Sequence, residues 1–392
     1  MSIVHLWKIY RNMSLGFHNT AFPDRAEWDK LNDYYNASYH YNTHTTASNS
    51  VSESYSDTIS RGSGTAGCSI ANNGNIAVAF EGSSTVTIIE GRGGTQTDVS
   101  VGFSSNWRSV NYDPKSDRFI ATANRLATIE ATSPYTYNNY NAFYGTDIWG
   151  GAVIDGIMYY APAFSTQATQ IAGLNVSTGV TAYVGSFFSS ETNWMSPCVA
   201  IDGTIVWGPE SDRTVKEVNL LNDTMNTIDP TTVINFGYQG WAPLPDGRLW
   251  NVGWNKAYYN LYTPASLNGG TSQLDAVAKT ALDGPWSNCW VGLDGKGYYV
   301  NSKGVSQLGG IYSDVYCFDP IENNFFKTQF KFPAVSTSNN RQNQAICVLP
   351  DGWVFSAGTN GSSQHHFVKM FEPLNDITIA SRTAGFVPNT AN

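Results

Sequence analysis

The sequence predicts an all-β fold, a seven-bladed β-propeller behind a short N-terminal helical and extended arm, on three observations. Aromatic residues (14%) are as frequent as charged ones (14%), and the 36 glycines sit among many Ser, Thr and Asn; this mixture favours strands and turns over solvated helices. Turn dipeptides recur along the chain: Asn73-Gly74, Asp155-Gly156, Asp202-Gly203, Asp246-Gly247, Asp294-Gly295 and Asp351-Gly352, with NYDPKSDRF around Asp117 as a seventh, longer turn. Their spacing, roughly 40 to 57 residues, is that of a repeated four-stranded unit. Finally, whole phrases repeat, PLPDGRLWNVG at 243–253 and VLPDGWVFSAG at 348–358.

Each unit reads the same way. An apolar run precedes the turn, and a second follows it: NIAVAF, RFIATA, IMYYAP, TIVWGP, RLWNVG, GYYVNS and WVFSAG. A tight Asp-Gly or Asn-Gly turn supplies the backbone angles that join two such runs as a hairpin. Third runs follow, among them VTIIE, LATIE, VKEVNLLND and DVYCFDPIEN, and fourth runs such as DVSVGF, TAYVGSF, FKTQFKF and ITIASRT complete most units. A ring made of these units closes in one of two ways: the last unit supplies its own outer strand, DITIASRT, or SYSDTIS (54–60) is added at the seam. A β-sandwich or a β-solenoid with coincidental turns is the alternative architecture.

The two "LPDG" phrases resemble the repeat of kelch-type propellers, and IYSDVYCFDPIENNF (311–325) is similar to the kelch third strand and its turn. The likeness is better in the last three units than in the first three, and the second glycine of the kelch pair is absent, since Thr359 follows Gly358 and Trp254 follows Gly253. It implies a scaffold; propellers carry many unrelated functions.

Residues 1–60 lack the repeat and are read as an arm, with 61–392 as the propeller. In FPDRAEWDKLNDYYNASYHY, Asp24 precedes Glu27 by three, a capping-box spacing, and Trp28, Leu31 and Tyr35 fall at helical intervals. A short amphipathic helix follows from this, either capping one face of the ring or docking the ring onto a larger assembly. The polar stretch NTHTTASNSVSESYSD reads as a linker.

The chemistry-bearing residues are sparse. Cys68, Cys198, Cys289 and Cys347 each stand five or six positions before a turn glycine, hence on first strands, and Cys317 lies in a third strand. Five cysteines without a C-x-x-C pair read as packing residues. His5, His18, His40 and His44 lie in the arm; His365 and His366 are adjacent on a strand and so point to opposite faces, which does not make a metal site. The copper-radical oxidases among kelch-like propellers need grouped His and Tyr ligands, and this sequence offers no such set. No G-x-S-x-G elbow occurs. Asp113 and Asp117 are the two carboxylates of a calcium loop or, more simply, of a turn. No catalytic residue, metal or cofactor is expected.

Trp107, Trp149, Trp194, Trp241 and Trp286 each precede a first strand. Pseudo-symmetry places them in one layer, where they either wedge between sheets or present flat faces to sugars beside Asn, Ser and Gln. They are the candidate glycan or partner contacts, with Trp28, Leu31 and Tyr35 as candidates for assembly through the arm.

A net charge of −9 offers no footprint for nucleic acid or for an anionic bilayer. No continuous apolar run of signal-peptide length follows the N-terminus. An outward-facing composition without an export signal suits a protein assembled in a host cytoplasm and released by lysis. The expectation is therefore a non-enzymatic structural component of a virus particle, resembling propeller proteins of tailed phages, in the capsid or in a tail or knob. It would sit in the virion, with other virion proteins and sister copies as partners and surface glycan as a further contact. The rivals are a propeller-type carbohydrate-active enzyme and a free intracellular kelch-like interaction module.

Overall fold

The computed structural model describes residues 13–14, 54–59, 64–91, 95–141, 148–161, 170–184, 194–200, 202–209, 215–220, 222–229, 241–244, 246–252, 258–278, 289–291, 296–300, 312–333, 345–348, 353–358 and 363–369. They form strands and turns, with no helix among them. The amphipathic helix expected over 22–41, with Trp28, Leu31 and Tyr35, lies outside the described residues.

Two strands precede the repeat, β1 (Met13–Ser14) and β2 (Ser54–Ile59). The first sheet contains β3 (Gly64–Ile70), β4 (Ile76–Ile89) and β5 (Gln96–Asn106). The second contains β6 (Ser109–Asp113), β7 (Arg118–Thr122), β8 (Arg125–Glu130) and β9 (Tyr137–Asn141). The third contains β10 (Ala152–Ile154), β11 (Ile157–Tyr160), β12 (Ile171–Asn175) and β13 (Thr181–Val184), with β1 paired to β10. The fourth contains β14 (Trp194–Val199), β15 (Ile205–Pro209), β16 (Val215–Asn219) and β17 (Thr224–Ile228).

The fifth sheet is β18 (Ala242–Pro243), β19 (Leu249–Val252), β20 (Tyr258–Thr263) and β21 (Gln273–Ala278). The sixth is β22 (Cys289–Val291), β23 (Gly297–Val300), β24 (Tyr312–Asp319) and β25 (Asn324–Pro333). The seventh is β26 (Ala345–Val348), β27 (Trp353–Gly358) and β28 (Ser363–Lys369), with β2 as its fourth strand. Every strand pair is antiparallel, and apart from the added β1 and β2 the strands of each sheet follow one another as a meander.

The first strands β3, β6, β10, β14, β18, β22 and β26 abut one another in that order, and β26 returns to β3. The sheets therefore form a closed ring. Of the two closures the sequence allowed, the observed ladder is the one that uses 54–59: β2 pairs with β28 from Ser54↔Val368 to Ile59↔Ser363. The alternative outer strand, 376–383, lies outside the described residues. In the first sheet the runs NIAVAF and VTIIE belong to one strand, β4, whose register shifts between Glu81 and Thr85; its first half pairs with β3 and its second with β5.

Three turns share one bonding pattern. Gly74 N–H donates to Ala71 O and Ala71 N–H to Asn75 O; Gly203 and Ala200, and Gly247 and Leu244, repeat it with Thr204 and Arg248. The turn glycines have φ of +86°, +86° and +89°, a conformation that is strained for any residue with a Cβ. At Asp155-Gly156 both residues are left-handed, φ +50° and +80°. The Asp294-Gly295 and Asp351-Gly352 turns lie outside the described residues.

Apolar clusters cross the sheet boundaries. One joins the sixth, seventh and first sheets through Tyr298, Val315, Phe355, Val78 and Phe80; another joins the third, fourth and fifth through Ile171, Trp207 and Tyr262. Between the fifth and sixth sheets, Trp250 stacks on Phe318 at 5.7 Å and 11°. A Cβ at Gly297 would lie 2.5 Å from Trp250 Cε3, so the indole lies against bare backbone. Gly297→Ala is expected to lower the unfolding free energy by about 2 kcal/mol, read as a fall in the urea midpoint without a change in slope.

Candidate functional site

The three repeat tryptophans whose side chains are described are placed unequally. Trp107 is fully buried; its indole Nε1 donates to Ser83 O at 3.0 Å, and the ring lies 5.4 Å from Phe103. Trp241 is 1% exposed, edge-on to Tyr262 at 6.4 Å. Neither has a face left for a sugar; both are wedges in the core. Trp149 is half-buried, with the Arg108 guanidinium 4.9 Å above its ring, which already occupies one aromatic face. Trp194 opens β14, paired with Pro209, and its side chain lies outside the described residues, as does Trp286. Among the described rings, Trp107 and Trp241 are closed into the core and do not join Trp149 in a stacking platform.

All five cysteines are buried and unbridged. Cys68, Cys198, Cys289 and Cys347 lie on β3, β14, β22 and β26, which are first strands, and Cys317 lies on β24. Burial pushes the thiols of Cys198 and Cys289 well up, so they are held protonated at neutral pH, opposite to what a nucleophile requires. His365 and His366 lie on β28, opposite Ala357 and Ser356 on one side and Asp57 and Ser56 on the other. No cluster of His, Cys, Asp or Glu suited to a metal occurs among the described residues.

Asp113 and Asp117 form a turn. Asp113 is buried and accepts from Lys115 N at 3.1 Å and from both N–H and Oγ–H of Ser116, while Asp117 accepts from the Tyr112 hydroxyl at 2.7 Å. Lys115 Nζ continues to Asp155 on the next sheet at 2.7 Å. Desolvation raises the pKa of Asp113, against the opposing pull of its hydrogen bonds from Ser116 and Lys115.

The outer rim carries the clearest surface feature. The outermost strands of the second, third and fourth sheets are β9 (YNNYN), β13 (TAYV) and β17 (TMNTI), with no charged residue in any of them. The outermost strands of the other four sheets are each charged, through Asp98 in β5, Asp275 in β21, Lys327 and Lys331 in β25, and Asp57 in β2. Edge strands usually carry charge because a bare row of backbone donors and acceptors pairs readily with another chain. Here an arc of three consecutive sheets has only Asn, Thr, Tyr and apolar residues on that edge.

The arc is held in place from inside. Asn139 Nδ2 donates to Val101 O on β5 at 2.6 Å, tying the second sheet's rim to the first. Tyr140 lies on the β12–β13 turn, where a Cβ at Gly179 would fall 2.1 Å from its Cε1. Outward from this frame stand Tyr137, 42% exposed, Tyr183, 47%, and Val180, 64%. Of these strands the sequence reading marks only TAYV, within the fourth run TAYVGSF, and not as a contact surface; the meaning of three uncharged runs depends on knowing that they are outermost.

No family model matches the chain, and no curated protein matches it. Solved structures do. A streptogramin B lyase superposes with a TM-score of 0.62 at 11% identity, over 80% of this chain and 97% of that one. Virginiamycin B lyase from Staphylococcus aureus gives 0.60 at 12%, over 81% and 99%, and the β-propeller domain of Cps50 (Swd1) from Myceliophteria thermophila gives 0.59 at 9%, over 80% and 99%. At such identities the likeness concerns fold alone.

Trp107→Ala and Trp241→Ala are each expected to destabilise by about 3 to 5 kcal/mol and Trp149→Ala by about 1, a difference that urea titration resolves. Because the folded-state pKa of Asp113 is raised, its stabilising contribution is complete at pH below the ordinary carboxylate range and is lost as pH rises through the elevated value. Asp113→Asn removes that declining contribution. In melts from pH 4 to 7, the difference in midpoint between variant and parent should therefore move in the variant's favour as pH rises.

Proposed function

We propose that this chain, which has the β-propeller fold, is a non-enzymatic structural protein of a virus particle of the tailed-phage kind. In it a seven-bladed, kelch-like propeller over 61–392, completed by β2 at its seventh sheet, is held among other virion proteins, and the part of 1–60 that precedes β2 is the arm that attaches it. The observation that carries this reading is the uncharged arc of β9, β13 and β17. A free protein gains solubility from charged edges, whereas an edge of Asn, Thr and Tyr suits a permanent neighbour, since it desolvates at lower cost than ionised side chains. The low charged fraction of the whole chain supports it, and exposed tyrosines on the same arc suit occasional contact with host glycans.

A second reading has one observation in its favour: two of the superposing propellers are named as lyases acting on streptogramin B and virginiamycin B. On that reading the ring would bind a similar compound.

Mass spectrometry of purified particles separates the two. The structural reading expects the chain in particles at fixed stoichiometry. The triple variant Asn138→Lys/Tyr183→Lys/Thr224→Lys, with all three sites on the rim, should melt within about 2 °C of the parent, since isolated surface changes cost little, yet fall at least tenfold in incorporation. Deleting 1–53, which leaves β2 and the seam and removes from the sheets only the two-residue β1–β10 ladder, should likewise spare folding and abolish incorporation. A chain absent from particles, or turnover of a streptogramin B compound by the purified protein, would reject the structural reading.

A further inference from the structure

The ring closes where distant parts of the chain meet. β26 lies against β3, and both strands carry a cysteine. Cys68 pairs across its ladder with Val78, and Cys347 with Phe355. Both thiols lie in the one apolar cluster that spans the seam, 1% and 0% exposed. The two strands are neighbours across that boundary, and the Cys68 side chain is near enough to Cys347 to help raise that thiol's pKa. The remaining cysteines have other surroundings: Cys198 donates to Val199 O at 3.8 Å, Cys289 accepts from Val252 N–H at 3.2 Å, and Cys317 lies on the third strand of the sixth sheet.

We propose that Cys68 and Cys347 form a redox clasp, in which exchange with a small-molecule disulfide such as oxidised glutathione joins them and locks the first sheet to the last. The step balances. One cysteine thiolate attacks the oxidant's S–S bond and expels one small thiolate, leaving a mixed disulfide; the second cysteine thiolate attacks the protein sulfur of that bond and expels the other. Two protein thiols are oxidised, one disulfide is reduced to two thiols, and the two protons released on forming the protein thiolates go to the leaving thiolates.

Location gives the bond its consequence. Cys68 and Cys347 bracket most of the ring in sequence, so a bond between them closes a loop of nearly the whole propeller and removes much of the unfolded chain's freedom. It also ties β26, the first strand of the last sheet, to β3, the first strand of the first. Burial, and then the neighbouring Cys68 thiol, raise the pKa of Cys347 well above its ordinary value. A closed ring therefore keeps the thiol protonated, and exchange proceeds when the seam opens, during folding or in mild denaturant.

The test uses the wild-type chain. The protein is refolded, or held in urea below its midpoint, with oxidised glutathione; free thiols are then alkylated and the disulfides mapped by mass spectrometry. The expected result is a single dominant Cys68–Cys347 bond with Cys198, Cys289 and Cys317 alkylated. The thermal midpoint should rise by roughly 5 °C and return on adding dithiothreitol. Cys347→Ala should abolish the shift while Cys198→Ala retains it; should Cys347→Ala not fold, the wild-type map and the reversible midpoint decide alone. Five alkylated thiols after oxidation in urea, a bond between any other pair, or a Cys68–Cys347 bond that leaves the midpoint unmoved would overturn the proposal.

Discussion

The close abutment of first strands is the constraint on which the rest of the structure depends. A four-stranded antiparallel sheet of this composition is apolar on both faces and cannot bury either alone. Each sheet here is satisfied by its neighbours: the Trp250 and Phe318 stack belongs to the fifth and sixth sheets together, and Trp107 fills a cluster shared by the first and second. Between neighbouring first strands the backbones themselves come close, since a Cβ at Gly67 would lie 3.0 Å from Ser109 Cα of the next first strand. No side chain larger than hydrogen fits at that point without a shift of backbone, while Trp107 and Trp250 fill spaces between sheets. A chain of such sheets leaves two apolar faces bare unless its last member meets its first. Closure is a requirement of the packing, and the β2–β28 ladder supplies it from the other end of the sequence.

The repeated turns serve the same closure. Asn73, Asp202 and Asp246 each accept a hydrogen bond from the backbone N–H two residues on, which fixes the hairpin before any contact with a neighbour. The turn then reaches the next sheet. Asn75 Nδ2 donates to Ala131 O at 2.9 Å, Asp202 accepts from Ser266 Oγ at 3.3 Å, and Arg248, paired with Asp246, donates to Pro320 O at 2.9 Å. In each case the partner lies near the third or fourth strand of the following sheet. Local turn chemistry and ring geometry thus agree, which is what makes a long repeat foldable.

This agreement explains what was legible in the sequence. The turns at Gly74, Gly156, Gly203 and Gly247 could be read directly, because left-handed backbone angles select few residue types, and the cysteines on first strands followed from their fixed distance to those glycines. Other features had no local signature. The seam offered two outer strands of equal pattern, SYSDTIS and ITIASRT, and ladder partners so far apart in sequence cannot be chosen by periodicity. The tryptophan spacing does not distinguish an indole that is wedged, as at Trp107, from one half-covered by a guanidinium, as at Trp149; exposure is a property of the neighbouring sheet. The run from NIAVAF to VTIIE reads as two strands because its Gly82-Ser83-Ser84 resembles a turn, yet β4 carries it through as a bulged strand.

The rim turns the same logic outward. Association costs the ordering of every side chain that must be held at the interface, so a surface already fixed by its own fold binds at lower cost than a mobile one. Asn139 is committed to Val101, and Tyr140 is seated on the Gly179 turn, so β9 is immobilised by the sheets on either side of it. Among the described residues, what faces outward on that arc is strand edge and the rings of Tyr137 and Tyr183. Tyrosine adds contact area with few rotatable bonds and a hydroxyl that tolerates wet or dry surroundings. An edge without charge, held rigid from within, has little to lose on meeting a complementary strand or flat protein surface and, left uncovered, little to protect it from unwanted pairing. Such an edge persists at low risk only where something regularly occupies it, and for that reason we place the proposed assembly contact of this ring on the arc of the second to fourth sheets.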